Sequence, residues 1–259
     1  MTRPVNRFMK RTLIIIPCYN EYANISPLVS AVFTQVPESN ILFVDDNSPD
    51  GTSDKIRSLQ RKDDRIFLIT RPAKLGIGTA YIEGFDFALR RGYDYVIQMD
   101  ADLSHNPVYI PQLLSRITSH DVIVASRYIQ NGGVSDWSVI RRAISRCANI
   151  YAKILLGIPV NDLTSGFKCY RSSVLNRIAF STIRSKGYAF QIEMLNRCFV
   201  RNCTMCEMPI FFQGRMNECS KMSFRIACEA IYRIPFLSFN NILSFGRDMI
   251  KQLLGVPVE

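Results

Sequence analysis

The chain has 259 residues, 47% of them hydrophobic, with 32 Lys and Arg against 22 Asp and Glu for a formal net charge of +10. That length and apolar content suit one large folded α/β domain and exclude several independent ones, and no run of 18 or more uncharged apolar residues predicts an ordinary spanning helix. The positive balance favours a phosphate-rich partner, a condition that nucleic acid, a nucleotide and anionic lipid meet equally well.

In chain order, residues 1–11 are a polar, basic lead-in. Thr12-Leu-Ile-Ile-Ile16 is a β-branched run that predicts a strand buried on both faces and ending at Pro17, which cannot donate to a ladder. The same grammar recurs at Asn40–Asp45, Ile66–Thr70, Tyr95–Met99 and Val122–Ala125, with helical patterns near 24–35, 52–61, 76–91 and 107–118 between the runs. Strand and helix alternating at this interval predict a mostly parallel sheet covered on both faces, a Rossmann-like α/β architecture. Polar groups gathered after the strands then line the crevice at their C-terminal ends: Pro17–Glu21, Asp45–Thr52, Arg71 with Lys74, and Asp100–Asp102.

Past residue 130 the pattern changes. A basic amphipathic helix is predicted over 138–156, another helix over 188–201, a strand over 205–212, and apolar-rich helical material from 222 onward, broken at Pro235. The division expected is a catalytic domain over 1–221 and a helical, membrane-peripheral tail over 222–259. Residues 120–200 carry eleven Lys and Arg against four Asp and Glu, so the second half holds most of the basic excess. The eight cysteines follow no secretory leader pattern and are expected as reduced thiols. Cys203-Thr-Met-Cys206 has zinc-compatible spacing but no second such pair, which favours ordinary buried thiols.

Asp100 and Asp102 are the strongest local signal. Two carboxylates one residue apart, where a buried strand turns into a loop, can share one hard cation, magnesium or manganese, able to bridge a diphosphate; capping a turn is the plain alternative. Asp45, Asp46 and Asp50 sit in a turn before a helix that Thr52 can cap, and one of these acids can accept from a ribose or base. Lys74-Leu-Gly-Ile-Gly-Thr-Ala-Tyr81 lacks the order of a P-loop and of a complete dinucleotide fingerprint, leaving phosphate contact or tight helix packing. Arg127, Arg141, Arg142 and Arg146 form either a solvated stripe or a site for a second phosphate. His105 and His120 read as loop or surface histidines, Tyr128 and Trp137 as core or interface anchors, and Phe236, Leu237 and Phe239 as packing residues.

Seven stretches taken together resemble the dolichol-phosphate or polyprenyl-phosphate mannose synthase group within the inverting A-type-fold glycosyltransferases: 17–21, 44–52, 74–81, 100–107, 126–128, 161–170 and 187–193. The resemblance spans residues 12–221. It implies that Pro17, Tyr19, Glu21 and Asp46 hold the nucleoside, that Asp100 and Asp102 bind Mg2+ or Mn2+ and the diphosphate, and that Lys74, Gln191, Arg215 and Lys221 border the donor. It also implies that Arg127, Arg141 and Ser145 receive the lipid phosphate. One departure is Glu218, where the family pattern around Arg215–Lys221 has glycine.

The reaction implied is a single displacement that moves mannose from GDP-mannose to a polyisoprenyl phosphate. UDP-glucose is the competing donor, and a noncatalytic nucleotide-binding membrane subunit is the reading from another class. The partners implied are a nucleotide-sugar donor, a polyisoprenyl phosphate acceptor, a membrane surface and a small membrane protein, with no nucleic acid. The place implied is the cytoplasmic face of a membrane, the endoplasmic reticulum in a eukaryote or the plasma membrane in a prokaryote.

Overall fold

The β-branched runs of the first half pair with one another as their two-sided hydrophobicity requires. β1 (Thr12–Cys18), β2 (Asn40–Asp45), β3 (Ile66–Thr70) and β4 (Tyr95–Gln98) are parallel, in the order β3-β2-β1-β4, in a computed structural model that describes residues 11–185, 187–214, 232–239 and 241. Leu13 and Ile15 of β1 face one core, with Tyr81, Phe85 and Phe190. Ile14 and Ile16 face the other, with Ile25, Leu28 and Leu113. A strand covered on both sides leaves no polar position in its middle, which is why the run is continuous rather than alternating.

The helices between the strands are α1 (Tyr22–Gln35), α2 (Thr52–Gln60), α3 (Ile77–Arg90) and α4 (Ile110–Arg116), the last preceded by a 3-10 turn at Pro107–Tyr109. β1 runs one residue past Pro17 to Cys18, so the proline does not end it. Main-chain Ile15 O accepts from Met99 on the β4 side and Cys18 O accepts from Asp46 on the β2 side. Pro17, two residues after Ile15, thus turns its nitrogen to the β4 side, where the pairing already stops at Ile15, and no ladder bond is lost.

Beyond β4 the order continues β7-β5-β8, from β5 (Val122–Ser126), β7 (Lys168–Arg171) and β8 (Met205–Pro209). β7 was not among the expected strands. It runs antiparallel to both neighbours, pairing Gln98 with Lys168 and Ile123 with Cys169. The strand expected over 205–212 divides, because β9 (Phe211–Phe212) leaves the sheet to pair with β6 (Gly133–Val134). α5 (Val139–Leu156) starts where Ser138 Oγ accepts the Arg141 N–H at 3.2 Å, and α6 (Ser172–Leu175) and α7 (Gly187–Val200) complete the described helices with assigned bounds.

The expected boundary at 221/222 lies outside the described residues. Residues 232–239 are helical through Pro235, without the expected break. Ile234 and Leu237 bury into the α3 and α7 side of the core, and Arg233 pairs with the buried Glu193 at 3.3 Å, so this segment docks on the domain. Phe236 and Phe239, expected to pack, are instead exposed.

Candidate active site

The strand order reverses at β1, since β2 and β3 lie on one side and β4 on the other. Loops leaving these strands at their C-terminal ends therefore diverge and open a crevice. A cavity of about 360 Å³ occupies it. The loop after β1 contributes Pro17, Tyr19 and Glu21, the end of β2 contributes Asp46, and the loop after β3 contributes Lys74 and Gly76. Asp100, Ala101 and Asp102 follow β4, Thr164 and Gly166 precede β7, and Gln191 comes from α7. Of the donor-side residues expected, Pro17, Tyr19, Glu21, Asp46, Lys74, Asp100, Asp102 and Gln191 thus share one wall system, while Arg215, Glu218 and Lys221 lie outside the described residues.

The three acids after β2 separate by role. Asp45 is fully buried and accepts from Ser53 Oγ at 2.7 Å and Ser48 N at 3.0 Å, which fixes the turn. Asp50 accepts from Thr52 N at 3.0 Å and from Tyr22 N at 3.1 Å, so Asp50, rather than Thr52, supplies the capping oxygen for α2. Asp46 alone lines the cavity, held by an ion pair with the buried Arg71. Arg71 also donates to Thr79 Oγ1 at 2.6 Å and Gly76 O at 3.0 Å, tying the loop after β3 to the acid after β2. The two glycines of that loop divide the earlier alternatives between them. Gly76, at φ +100°, lines the cavity, whereas a Cβ on Gly78 would meet the Phe190 ring at 2.9 Å, the mark of close helix packing. Lys74 Nζ lies 4.2 Å from the centre of the Tyr19 ring.

Asp100 is braced from two sides. Tyr81 O–H donates to its Oδ1 at 3.2 Å, and burial together with that carboxylate pushes the phenol pKa well up, keeping it a donor. His105 is buried, not a surface residue, and stacks on Phe167. Its Nδ1 accepts the Asp100 main-chain N–H at 3.0 Å, which spends that lone pair on the loop, and burial lowers its pKa. Asp102 Oδ1 accepts from Ser104 Oγ at 2.6 Å. The one thiol on the cavity wall, Cys18, stays protonated through burial and donates to Asp45 at 3.5 Å, and the His105 Nδ1 lone pair is spent, so the two carboxylates form an oxygen donor set that fits magnesium or manganese. A Cβ on Gly166 would come within 3.2 Å of His105 Cε1, so glycine there lets the loop before β7 close on the histidine that holds the Asp100 N–H.

The basic half of the chain meets this cavity through Thr164. Arg127 is buried and donates through Nε and Nη2 to the two oxygens of the fully buried Asp162, each at 2.7 Å, and through Nη2 to Thr164 Oγ1 at 2.9 Å. The resemblance implies an incoming phosphate as the partner of Arg127, whereas the structure pairs its guanidinium with Asp162, a partner that no sequence spacing signals. Two guanidinium groups lie over the Trp137 ring, Arg127 at 5.4 Å and Arg141 at 4.1 Å from its centre. Arg141 Nε is buried with no hydrogen-bond partner among the described residues. Ser145, one turn further along α5, accepts from Tyr128 O–H at 2.6 Å. Arg127, Arg141, Ser145 and the two aromatic anchors therefore form one patch next to the donor cavity, and Arg146 stands exposed.

His120 is half-buried in the loop before β5; Cys203 is buried in one core and the half-buried Cys206 packs against the other, and no group of three His, Cys, Asp or Glu able to hold a metal occurs among the described residues.

Residues 13–179 match the family model for Glycosyl transferase family 2. The chain is 39% identical over 244 residues to the polyprenol monophosphomannose synthase of Mycolicibacterium smegmatis, covering 93% of this chain and 92% of that protein. It is 39% identical over 224 residues to the undecaprenyl-phosphate mannosyltransferase of Micrococcus luteus, covering 86% and 92%. Among solved structures it is similar to glucosyl-3-phosphoglycerate synthase from Mycobacterium tuberculosis in complex with Mn2+, UDP-glucose and phosphoglyceric acid, with a TM-score of 0.64 at 16% identity over 86% of this chain and 79% of that one. That last likeness is one of fold.

Proposed function

Because the chain belongs to glycosyl transferase family 2, we propose that it transfers mannose from GDP-mannose to a polyprenyl or dolichyl phosphate, with inversion at the anomeric carbon. The observation that carries this reading is the meeting of two anion-handling regions. The Asp100 and Asp102 cavity and the Trp137, Arg141 and Ser145 patch adjoin through Thr164. The two similar enzymes, named for transfer of mannose to a polyprenyl or undecaprenyl phosphate, support the donor sugar and the acceptor class.

Pro17, Tyr19, Glu21 and Asp46 take the nucleoside, with Asp46 oriented by Arg71. Lys74 and Gln191 contact the donor's phosphates and sugar. Asp100 and Asp102 would hold a magnesium or manganese ion, which supplies charge neutralisation for the departing diphosphate. Arg141 and Ser145 orient the lipid phosphate, while Arg127, held by Asp162, stiffens the floor on which Trp137 and Arg141 stack. The lipid phosphate is already an anion, so its oxygen attacks the anomeric carbon without a strong general base. The residues' work is alignment and charge placement.

No described helix is long and apolar enough to cross a membrane. Peripheral attachment to a membrane is supported by α5, whose Val139, Ile140, Ile144, Ile150 and Ile154 are exposed along with Arg142 and Arg146; the cytoplasmic face is part of the same proposal. An apolar stripe edged with cations suits the interface of an anionic bilayer, and a small membrane protein would occupy the same face.

The test is incubation of the protein with a panel of labelled GDP- and UDP-sugars, a divalent cation and a short polyprenyl phosphate, followed by mass spectrometry of the lipid. Mannosyl phosphoryl lipid from GDP-mannose, absent with Asp102→Asn, is expected. A glucosylated lipid would overturn the donor assignment, and no lipid product would overturn the function.

A further inference from the structure

Lys168 has no exposed surface and lies in the strand at the centre of the sheet's second half. Its neighbours across the ladders are Gln98 and Val124, and with Val96 and Tyr170 they form the row that packs against α3 and α7. An ammonium in that layer costs several kcal/mol unless it is partnered. The partners are both atoms of one residue. Lys168 Nζ donates to Gln191 Oε1 at 2.7 Å and to Gln191 O at 3.3 Å.

Gln191 is also a wall of the donor cavity. Because Nζ donates to the side-chain and the main-chain oxygen of the same residue, it favours the rotamer that turns the Gln191 amide oxygen toward it. Gln98 Nε2 faces the same oxygen at 3.5 Å. The bonds that hold the Gln191 side chain all end on its oxygen, and the same side chain lines the cavity, which leaves its NH2 as the group available there. An amide NH2 there asks for an acceptor, and a diphosphate or sugar oxygen is one.

We infer that Lys168 is a positioning residue for the donor: from inside the sheet it holds the Gln191 oxygen, so that the Gln191 NH2 is presented to the sugar diphosphate. The inference rests on the proposed transfer reaction and adds a residue that touches no substrate. It also gives a reason for a lysine at a position where the surrounding row is otherwise apolar or amide. Leucine or methionine there would pack at lower cost but would leave the Gln191 amide free to turn.

The test is a double-mutant cycle with Lys168→Met and Gln191→Ala, read as kcat and KM for the donor and as calorimetric binding of GDP with the divalent cation. Lys168→Met is expected to lower kcat/KM about tenfold, the loss of the hydrogen bond that fixes the amide, with Tm unchanged or raised. In the Gln191→Ala background the same change is expected to have less than about a twofold effect, because its target is gone. Independent, multiplying effects, or a Lys168→Met enzyme within about twofold of wild type, overturn the inference. Gln191→Glu serves where Lys168→Met does not fold. It keeps a partner for the ammonium but offers the donor a carboxylate oxygen, and undiminished GDP binding by that variant overturns the inference as well. An inactive wild type removes the proposed reaction and this role together, whereas an active wild type with an unaffected Lys168→Met removes this role alone.

Discussion

Replacing Ile140, Ile144 and Ile154 with serine tests whether the outward face of α5 meets a bilayer. The three side chains are 73%, 49% and 74% exposed, so together about two whole isoleucines stand in water. Full burial of one is worth about 2 kcal/mol, which puts their insertion at about 4 kcal/mol, or on the order of a thousandfold in the partition coefficient. Arg142 and Arg146 add about 1 kcal/mol each near an anionic surface, and salt screens that part. Sedimentation with vesicles containing phosphatidylglycerol is the assay, at low and high salt. Wild type is expected to bind, less so at high salt, and the triple variant to remain in solution under both conditions. Its Tm is expected to match wild type, because none of the three packs in the core, and transfer to a water-soluble short-chain acceptor is expected to persist. Equal vesicle binding by the variant would refute the reasoning. So would a lowered Tm, which would mean that the face packs against this chain's own residues.

Asp162→Asn leaves the buried Arg127 guanidinium without its charge partner and is expected to destabilise the fold by about 3 kcal/mol, seen as a lowered midpoint in urea. Gly84→Ala would place a Cβ 2.5 Å from Ile15 Cγ2 in the central strand, and the expected cost of that overpacking is about 1–3 kcal/mol by the same measurement. Burial lowers the Lys168 pKa to about 7, with Asp162 and Asp100 raising it and Arg127 lowering it, while the Cys198 thiol faces it from α7. The unfolded chain therefore binds one more proton than the native protein between about pH 7 and the ordinary lysine pKa, so this residue makes stability rise with pH across that window. Urea unfolding of the ligand-free protein is expected to show that rise and Lys168→Met to lack it; identical slopes would rule it out.

The first half of the fold is legible because β1 to β4 carry runs such as Leu13–Ile16, whose continuous hydrophobicity has few other uses in a domain of this size. β7 is not, since Lys168-Cys-Tyr-Arg171 opens and closes on charged residues and shows none of the β-branched pattern. Its strand character comes from the place it fills between β4 and β5. The site shows the same division. The loop residues that line the cavity could be named from their positions after strands. The pairs that orient them, Arg71 with Asp46 and Arg127 with Asp162, lie 25 and 35 residues apart and obey no spacing rule. A basic amphipathic helix was readable over α5, but not which way it faces, because the rule that apolar residues turn inward assumes water outside.

That orientation connects the two halves of the proposed chemistry. The buried side of α5 is narrow, consisting of Asn149, Ala152 and Leu156. Asn149 is the polar member, donating to Thr164 Oγ1 at 3.0 Å and accepting the Thr164 N–H at 3.1 Å. Thr164 is a wall of the donor cavity and also receives Arg127. A helix whose outer side is proposed to meet lipid is thus fastened to the proposed donor site by its inner side through one amide. Arg141 and Ser145 stand on the same helix, so a bilayer that fixes α5 also fixes where an acceptor phosphate enters relative to the sugar. Alignment of two anions across one carbon then needs no separate device, because the surface that delivers one substrate is part of the same rigid piece as the wall that holds the other.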